Sequence, residues 1–153
     1  ADELDFVVNF EAFKSGATDL VKEEVFQGTQ LGLQHNKTVK WIIEITALNG
    51  AQIIQLTSLI KNVVVSNFKE KDFENVFVKS STGFYKTLGG SPNGATFPAI
   101  IAMLENAFPL PVKASGGIKT KEEALEMIKL GVKRIGTSSA KAISEGVETS
   151  GGY

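Results

Sequence analysis

Two lysines stand where a lysine is costly. Lys79 closes the apolar run Val76-Phe77-Val78 and is followed at once by Ser80-Ser81-Thr82-Gly83-Phe84. Lys113 closes Pro111-Val112 and is followed by Ala114-Ser115-Gly116-Gly117. An ammonium at the end of a buried strand loses hydration unless it is paired. Taken singly, such a lysine can snorkel out of the strand end into water. It can also be a desolvated amine of lowered pKa, ready to attack a carbonyl. The repetition raises the second reading, because two lysines ending neighbouring strands each disfavour the other's charged form.

Composition narrows the other chemistry. The chain has no cysteine, hence no thiolate nucleophile, disulfide or zinc–cysteine site, and a single histidine, His35. That histidine lies in the polar stretch Gln34-His35-Asn36-Lys37, which has the character of a solvated loop. A Ser-His-Asp triad or a multi-histidine metal site is therefore disfavoured. Nucleophilic chemistry falls to Lys, Asp or Ser, and no metal or cofactor is expected. Asp5 sits inside an apolar stretch, where a carboxylate needs a cationic or hydrogen-bonding partner. Gly116-Gly117 and Gly136-Thr137-Ser138-Ser139 each precede an expected helix, so their N–H groups could cradle an anion. Glycine at strand–helix turns is common, so either turn alone is a weak signal. No Walker A motif is present.

The elements that must position these groups alternate. Residues 4–10 read as a buried strand and 18–33 as a helix, its second half weakened by Gly28 and Thr29. A strand follows at 39–45. A helix begins near Gly50, capped by Asn49, with Ile53, Leu56, Ile60 and Val63 as its apolar stripe. Residues 67–75 form a charged connection, a loop or short helix, into the Lys79 strand. A long loop at 85–94, rich in Gly, Ser and Pro, has the length of a functional one. Thr96 and Pro98 then open a helix that runs to Phe108. Pro109 and Pro111 bracket the Lys113 strand. Thr120-Lys121-Glu122-Glu123 is a capping box, and Gly131 suits the end of its helix. A short strand and turn follow at 133–139, a helix starts at Ala140, and a Gly-, Ser- and Glu-rich tail ends at Tyr153. The order βαβαβαβαβα, with the two lysines one βα unit apart, predicts a parallel sheet. Sites in such sheets gather at the C-terminal ends of strands, where both lysines and both glycine turns fall.

At 153 residues the chain is expected to be one domain. Hydrophobic residues make up 42% and charged residues 22%, enough to fill a core. A net charge of −1 gives no electrostatic footprint for nucleic acid or a membrane surface. No stretch approaches the roughly 18 continuous apolar residues of a spanning helix, no signal peptide is visible, and the lack of cysteine fits the cytoplasm. The sequence opens at Ala1 almost directly on a strand, which leads us to expect that its front is missing.

The stretches Ala1-Asp2-Glu3-Leu4-Asp5, Trp41-Ile42-Ile43-Glu44, Phe77-Val78-Lys79-Ser80-Ser81-Thr82-Gly83-Phe84, Asn93-Gly94-Ala95-Thr96, Val112-Lys113-Ala114-Ser115-Gly116-Gly117 and Arg134-Ile135-Gly136-Thr137-Ser138-Ser139 together resemble the deoxyribose-phosphate aldolases, class I aldolases with a (β/α)8 barrel. They keep family order and spacing over nearly the whole chain. The resemblance implies cleavage of 2-deoxy-D-ribose 5-phosphate to acetaldehyde and glyceraldehyde 3-phosphate. It implies that Lys79 is the Schiff-base lysine, that Lys113 perturbs it and moves protons, and that Asp5 completes the proton relay. It further implies that Gly83, Gly116, Gly117, Gly136, Ser138 and Ser139 contact the substrate phosphate. Some members end in a tail whose terminal tyrosine reaches the site; Tyr153 is either such a residue or part of a disordered end.

Three departures accompany the resemblance. Ser80 stands where Thr is common. Lys119 stands where Arg is common, exchanging a bidentate fork for a point charge. The connection at 66–75 is longer than in many members. Length is the larger departure, because the chain resembles only the last five strand–helix units. It is expected to be a partial TIM barrel spanning 1–153 with two open parallel edges that favour self-association, leaving a homo-oligomer open. Two functions follow from this. The chain is a class I aldolase acting on a phosphorylated sugar, or it is a catalytically silent α/β fragment that at most binds phosphate or joins another chain.

Overall fold

The structure, a computed structural model, describes residues 1–85 and 94–146. Five strands, β1 (Glu3–Val7), β2 (Thr38–Ile42), β3 (Val76–Lys79), β4 (Val112–Ser115) and β5 (Arg134–Gly136), form one sheet in chain order. Every neighbouring pair is parallel. The connections carry helices α1 (Phe10–Lys14), α2 (Thr18–Gln34), α3 (Gly50–Asn67), α4 (Phe97–Ala107) and α5 (Lys121–Leu130), and α6 (Ala140–Glu145) follows β5. The parallel order expected from the alternating pattern is the order observed. Among the described residues no helix is long and apolar enough to cross a membrane.

Strand alternation divides the sheet into two unlike faces. Val39, Trp41, Ile43, Val76, Val78, Val112 and Ala114 point to the helices and are buried with Val21, Val25, Leu56, Ile60, Ile100 and Met103. The intervening residues, Lys40, Ile42, Phe77, Lys79 and Lys113, occupy the opposite face. Register then decides which of them meet. Asp5 is level with Lys40, Ile42 with Lys79, Lys79 with Lys113, and Ser115 with Gly136.

Local chemistry explains where the elements begin and end. The Asn49, Thr96 and Thr120 side chains each accept an N–H of the helix they precede, and Gly131 closes α5 in the left-handed region. Gly28 and Thr29 do not weaken α2, because they are its contact with β2. A Cβ on Gly28 would lie 2.7 Å from the Trp41 ring, and Thr29 Oγ1 accepts the Trp41 Nε1–H at 2.9 Å. The strand expected at 4–10 is shorter, because the Asn9 side chain accepts the Ala12 N–H and starts α1. The strand expected at 39–45 stops at Ile42, since Glu44 turns left-handed and 45–47 coil into a 3₁₀ turn. The charged connection holds a 3₁₀ helix, Glu70–Asn75. Residues 86–93 and 147–153 lie outside the described residues, and Asn93 and Tyr153 with them.

Candidate active site

Lysines from three successive strands share the face opposite the helices. The core supplies the reason: outward-facing residues are fully engaged with α2 to α5, so the alternate positions must turn inward. Lys79 is only 6% exposed and donates to Asp5 Oδ2 at 2.8 Å. Lys40, also buried, donates to Asp5 Oδ1 at 3.0 Å and pairs with Glu3. Arg134 reaches from β5 to the same Glu3 on β1 and lies 4.7 Å over the Phe77 ring. Two carboxylates from β1 thus face basic groups from the other four strands, leaving the face electropositive.

These contacts bias the protons. Burial pushes the Asp5 carboxyl up, but hydrogen bonds from Lys79 and Lys40 outweigh it and hold that carboxyl below the usual aspartate range. Burial likewise works against the Lys40 ammonium, and its bonds to Glu3 and Asp5 win, raising it above an ordinary lysine. Lys113 has no such rescue. Burial and then the charges of Lys79 and Lys40 hold its ammonium below the ordinary range, with Asp5 and Glu3 opposing only in part. The arrangement therefore combines an ion-paired lysine with a neighbour whose ammonium is disfavoured.

The turns above the lysines are joined in one chain of contacts. Ser80 Oγ donates to Ser115 O and accepts its N–H, each at 2.9 Å, while Ser115 Oγ donates to Ser81 O at 2.6 Å. Gly116 and Gly117 follow, both left-handed at φ +82° and +73°. A Cβ on Gly116 would sit 2.9 Å from Gly94 Cα and 3.3 Å from Ser81 Oγ, so only glycine fits the approach. The next turn is tied in by Thr137 Oγ1, which donates to Ile118 O at 2.8 Å and accepts the Ser139 N–H at 3.0 Å. Ser138 lies within that turn. Gly136 packs on Lys113 and Ser115, where a Cβ would be 3.0 Å from Lys113 Cε.

Asp5, Lys79, Lys113, Gly116, Gly117, Gly136, Ser138 and Ser139 thus lie at one end of the sheet. Gly83 is there too, but its N–H is taken by Ser81 Oγ at 2.9 Å, so it shapes the turn rather than offering a donor. Two residues escaped the sequence reading. Lys40 hides in an apolar strand beside the outward-facing Trp41. Glu44 is 2% exposed, and its carboxylate accepts from Ser81 Oγ at 2.8 Å, Thr82 Oγ1 at 2.6 Å and Thr82 N at 3.3 Å. In the sequence only its place, a carboxylate closing the run Trp41-Ile42-Ile43, could have marked it. Elsewhere, a cavity of about 440 Å³ opens at the N-terminal strand ends among Phe77, Leu104, Phe108, Pro109, Pro111 and Arg134.

Five consecutive parallel strand–helix units, with Lys79 and Lys113 level on the face opposite the helices, define an α/β fold of the TIM-barrel class, here a partial barrel. Among solved structures, QR15, described as an aldolase, superposes with a TM-score of 0.75 at 34% identity, over 95% of this chain and 58% of that one. A putative deoxyribose-phosphate aldolase from Coccidioides immitis gives 0.76 at 27% identity, over 95% and 52%. The chain is homologous, along nearly its whole length, to the deoxyribose-phosphate aldolases. That of Caldicellulosiruptor saccharolyticus is 39% identical over 145 residues, 94% of this chain and 59% of the relative. That of Streptococcus suis is 34% identical over 154 residues, 100% of this chain and 62% of the relative. The chain thus spans about three fifths of the length of the curated relatives it matches. No family model matches it.

Proposed function

We propose that the chain carries the Schiff-base machinery of a deoxyribose-phosphate aldolase, cleaving 2-deoxy-D-ribose 5-phosphate to acetaldehyde and D-glyceraldehyde 3-phosphate. One observation carries the reading: Lys79, anchored to Asp5 at 2.8 Å, stands level with Lys113, whose ammonium is disfavoured. Lys113 accepts a proton so that the Lys79 amine can add to the C1 aldehyde of the open-chain sugar. The C1 oxygen leaves as water and an iminium remains. The C3 hydroxyl then gives up its proton to the lysine–aspartate relay, the C2–C3 bond breaks, and its electron pair forms an enamine with the iminium carbon. Glyceraldehyde 3-phosphate departs. The relay returns a proton to C2, water hydrolyses the imine, and acetaldehyde leaves with the Lys79 amine restored. Gly116-Gly117 and the 136–139 turn hold the phosphate, and the electropositive face draws it in. We place the activity in a single partial-barrel domain, in the cytoplasm, acting on deoxyribonucleotide breakdown products.

A second reading has its own support. β1 and β5 each have one neighbour in the described sheet, and the Asp5 side chain is 35% exposed. Water reaching the relay favours a chain that binds phosphate without turnover until it associates with another copy. A relative from Aeropyrum pernix is described as a tetramer. Borohydride reduction in the presence of 2-deoxyribose 5-phosphate, followed by peptide mapping, separates the readings. The proposal expects an adduct on Lys79 that is lost in Lys79→Ala. An unmodified Lys79 in a chain that still binds inorganic phosphate supports the second reading and rejects the first.

A further inference from the structure

Glu44 has more structure built around it than a strand end requires. It is buried, holds a left-handed backbone at φ +57° and ψ +67°, and takes three hydrogen bonds from Ser81 and Thr82. A non-glycine residue in that region costs about 1–2 kcal/mol, and a buried carboxylate is costly unless fully bonded. Two residues on, Thr46 Oγ1 accepts the Gly94 N–H at 3.1 Å. The short turn after β2 therefore grips the chain after β3 at both Ser81–Thr82 and Gly94.

Both grips converge on Gly116. Ser81 Oγ, fixed by Glu44, lies where it would touch a Cβ on Gly116, and Ser81 is hydrogen-bonded to Ser115 through N and O. Gly94, fixed by Thr46, lies against the Gly116 backbone, and the adjoining Ala95 N–H donates to Gly116 O at 2.8 Å. Successive backbone N–H groups in a glycine turn of this kind can line a concavity suited to an anion.

We propose that Glu44 is a positioning residue for the substrate phosphate: with Thr46 it clamps Gly116-Gly117 into the anion-binding conformation from the neighbouring strand. The inference rests on the phosphate assignment made above. It makes the turn after β2, rather than any residue touching the ligand, a determinant of selectivity for phosphorylated over plain aldehydes.

The test is titration of the chain with inorganic phosphate, by calorimetry or ³¹P NMR, beside borohydride trapping with acetaldehyde, which has no phosphate. Glu44→Gln keeps the shape but cannot accept from both Ser81 and Thr82, and Thr46→Val releases Gly94 while leaving Glu44 in place. Each is expected to weaken phosphate binding by about tenfold, the scale of one hydrogen bond, and to lower the ratio of phosphate affinity to acetaldehyde trapping. The double variant should lose less than the product of the two, since both grips act on one turn. Wild-type binding with both variants within twofold of it overturns the clamp and leaves the phosphate assignment standing. Parallel loss of phosphate binding and trapping also overturns it, because Glu44 would then support the lysines generally. A wild-type chain that binds no phosphate rejects the assignment and the clamp together. Should Glu44→Gln fail to fold, Thr46→Val alone decides.

Discussion

Replacing Asp5 by Asn removes the carboxylate that Lys79 and Lys40 share. An exposed ion pair contributes about 0–1 kcal/mol, whereas breaking a buried one costs about 3–5 kcal/mol. Here the two lysines are buried but the Asp5 side chain is 35% exposed, so water screens the pair and the loss falls between, about 2 kcal/mol. That corresponds to roughly thirtyfold in the ratio of folded to unfolded chain. Lys40 keeps Glu3, so Lys79 bears most of it. The pH dependence has a definite sign. The folded Asp5 carboxyl is held below its unfolded value of about 3.9. Its contribution is therefore complete above that value and is lost as pH falls through the folded one. Urea denaturation followed by the fluorescence of the single tryptophan, Trp41, reads this directly. At pH 7 the Asp5→Asn midpoint should lie about 1 M below wild type, and the gap should close from about pH 4 downward. A gap that stays constant to pH 2.5, or none at pH 7, would refute the electrostatic account.

Lys113 acts in the opposite sense. Because its folded ammonium is disfavoured, the unfolded chain binds more protons between that lowered value and about 10.4. Stability should rise with pH there, and Lys113→Met should remove that rise in denaturation midpoints taken from pH 6 to 10. In trapping experiments, Lys113→Ala should leave Lys79 reactive but slow; trapping as fast as in the wild type counts against the proton-accepting role. Gly116→Ala places a Cβ at φ +82°, 2.9 Å from Gly94 Cα. The left-handed residue alone costs about 1–2 kcal/mol and the backbone must also move, so a loss of at least about 2 kcal/mol in urea is expected.

The sequence by itself determined the alternation of strands and helices and the parallel sheet, because these rest on local periodicity, caps and turn chemistry. Asn49, Thr96 and Thr120 cap their helices wherever the chain folds, since a cap needs only its own first turn. Local rules also misled at Gly28 and Thr29, whose purpose is a contact with a residue on another element, Trp41. Asp5 announced its need for a partner, yet nothing local says that the partners are Lys79 and Lys40. Register across three parallel strands decides that, through hydrogen bonds between segments far apart in the chain. The same holds for Glu44. In the sequence it is a carboxylate after Ile42-Ile43, apt for an exposed strand end. Only the fold brings Ser81 and Thr82 over it, and tertiary hydrogen bonds, which no propensity encodes, hold its backbone left-handed beneath the Gly116 turn.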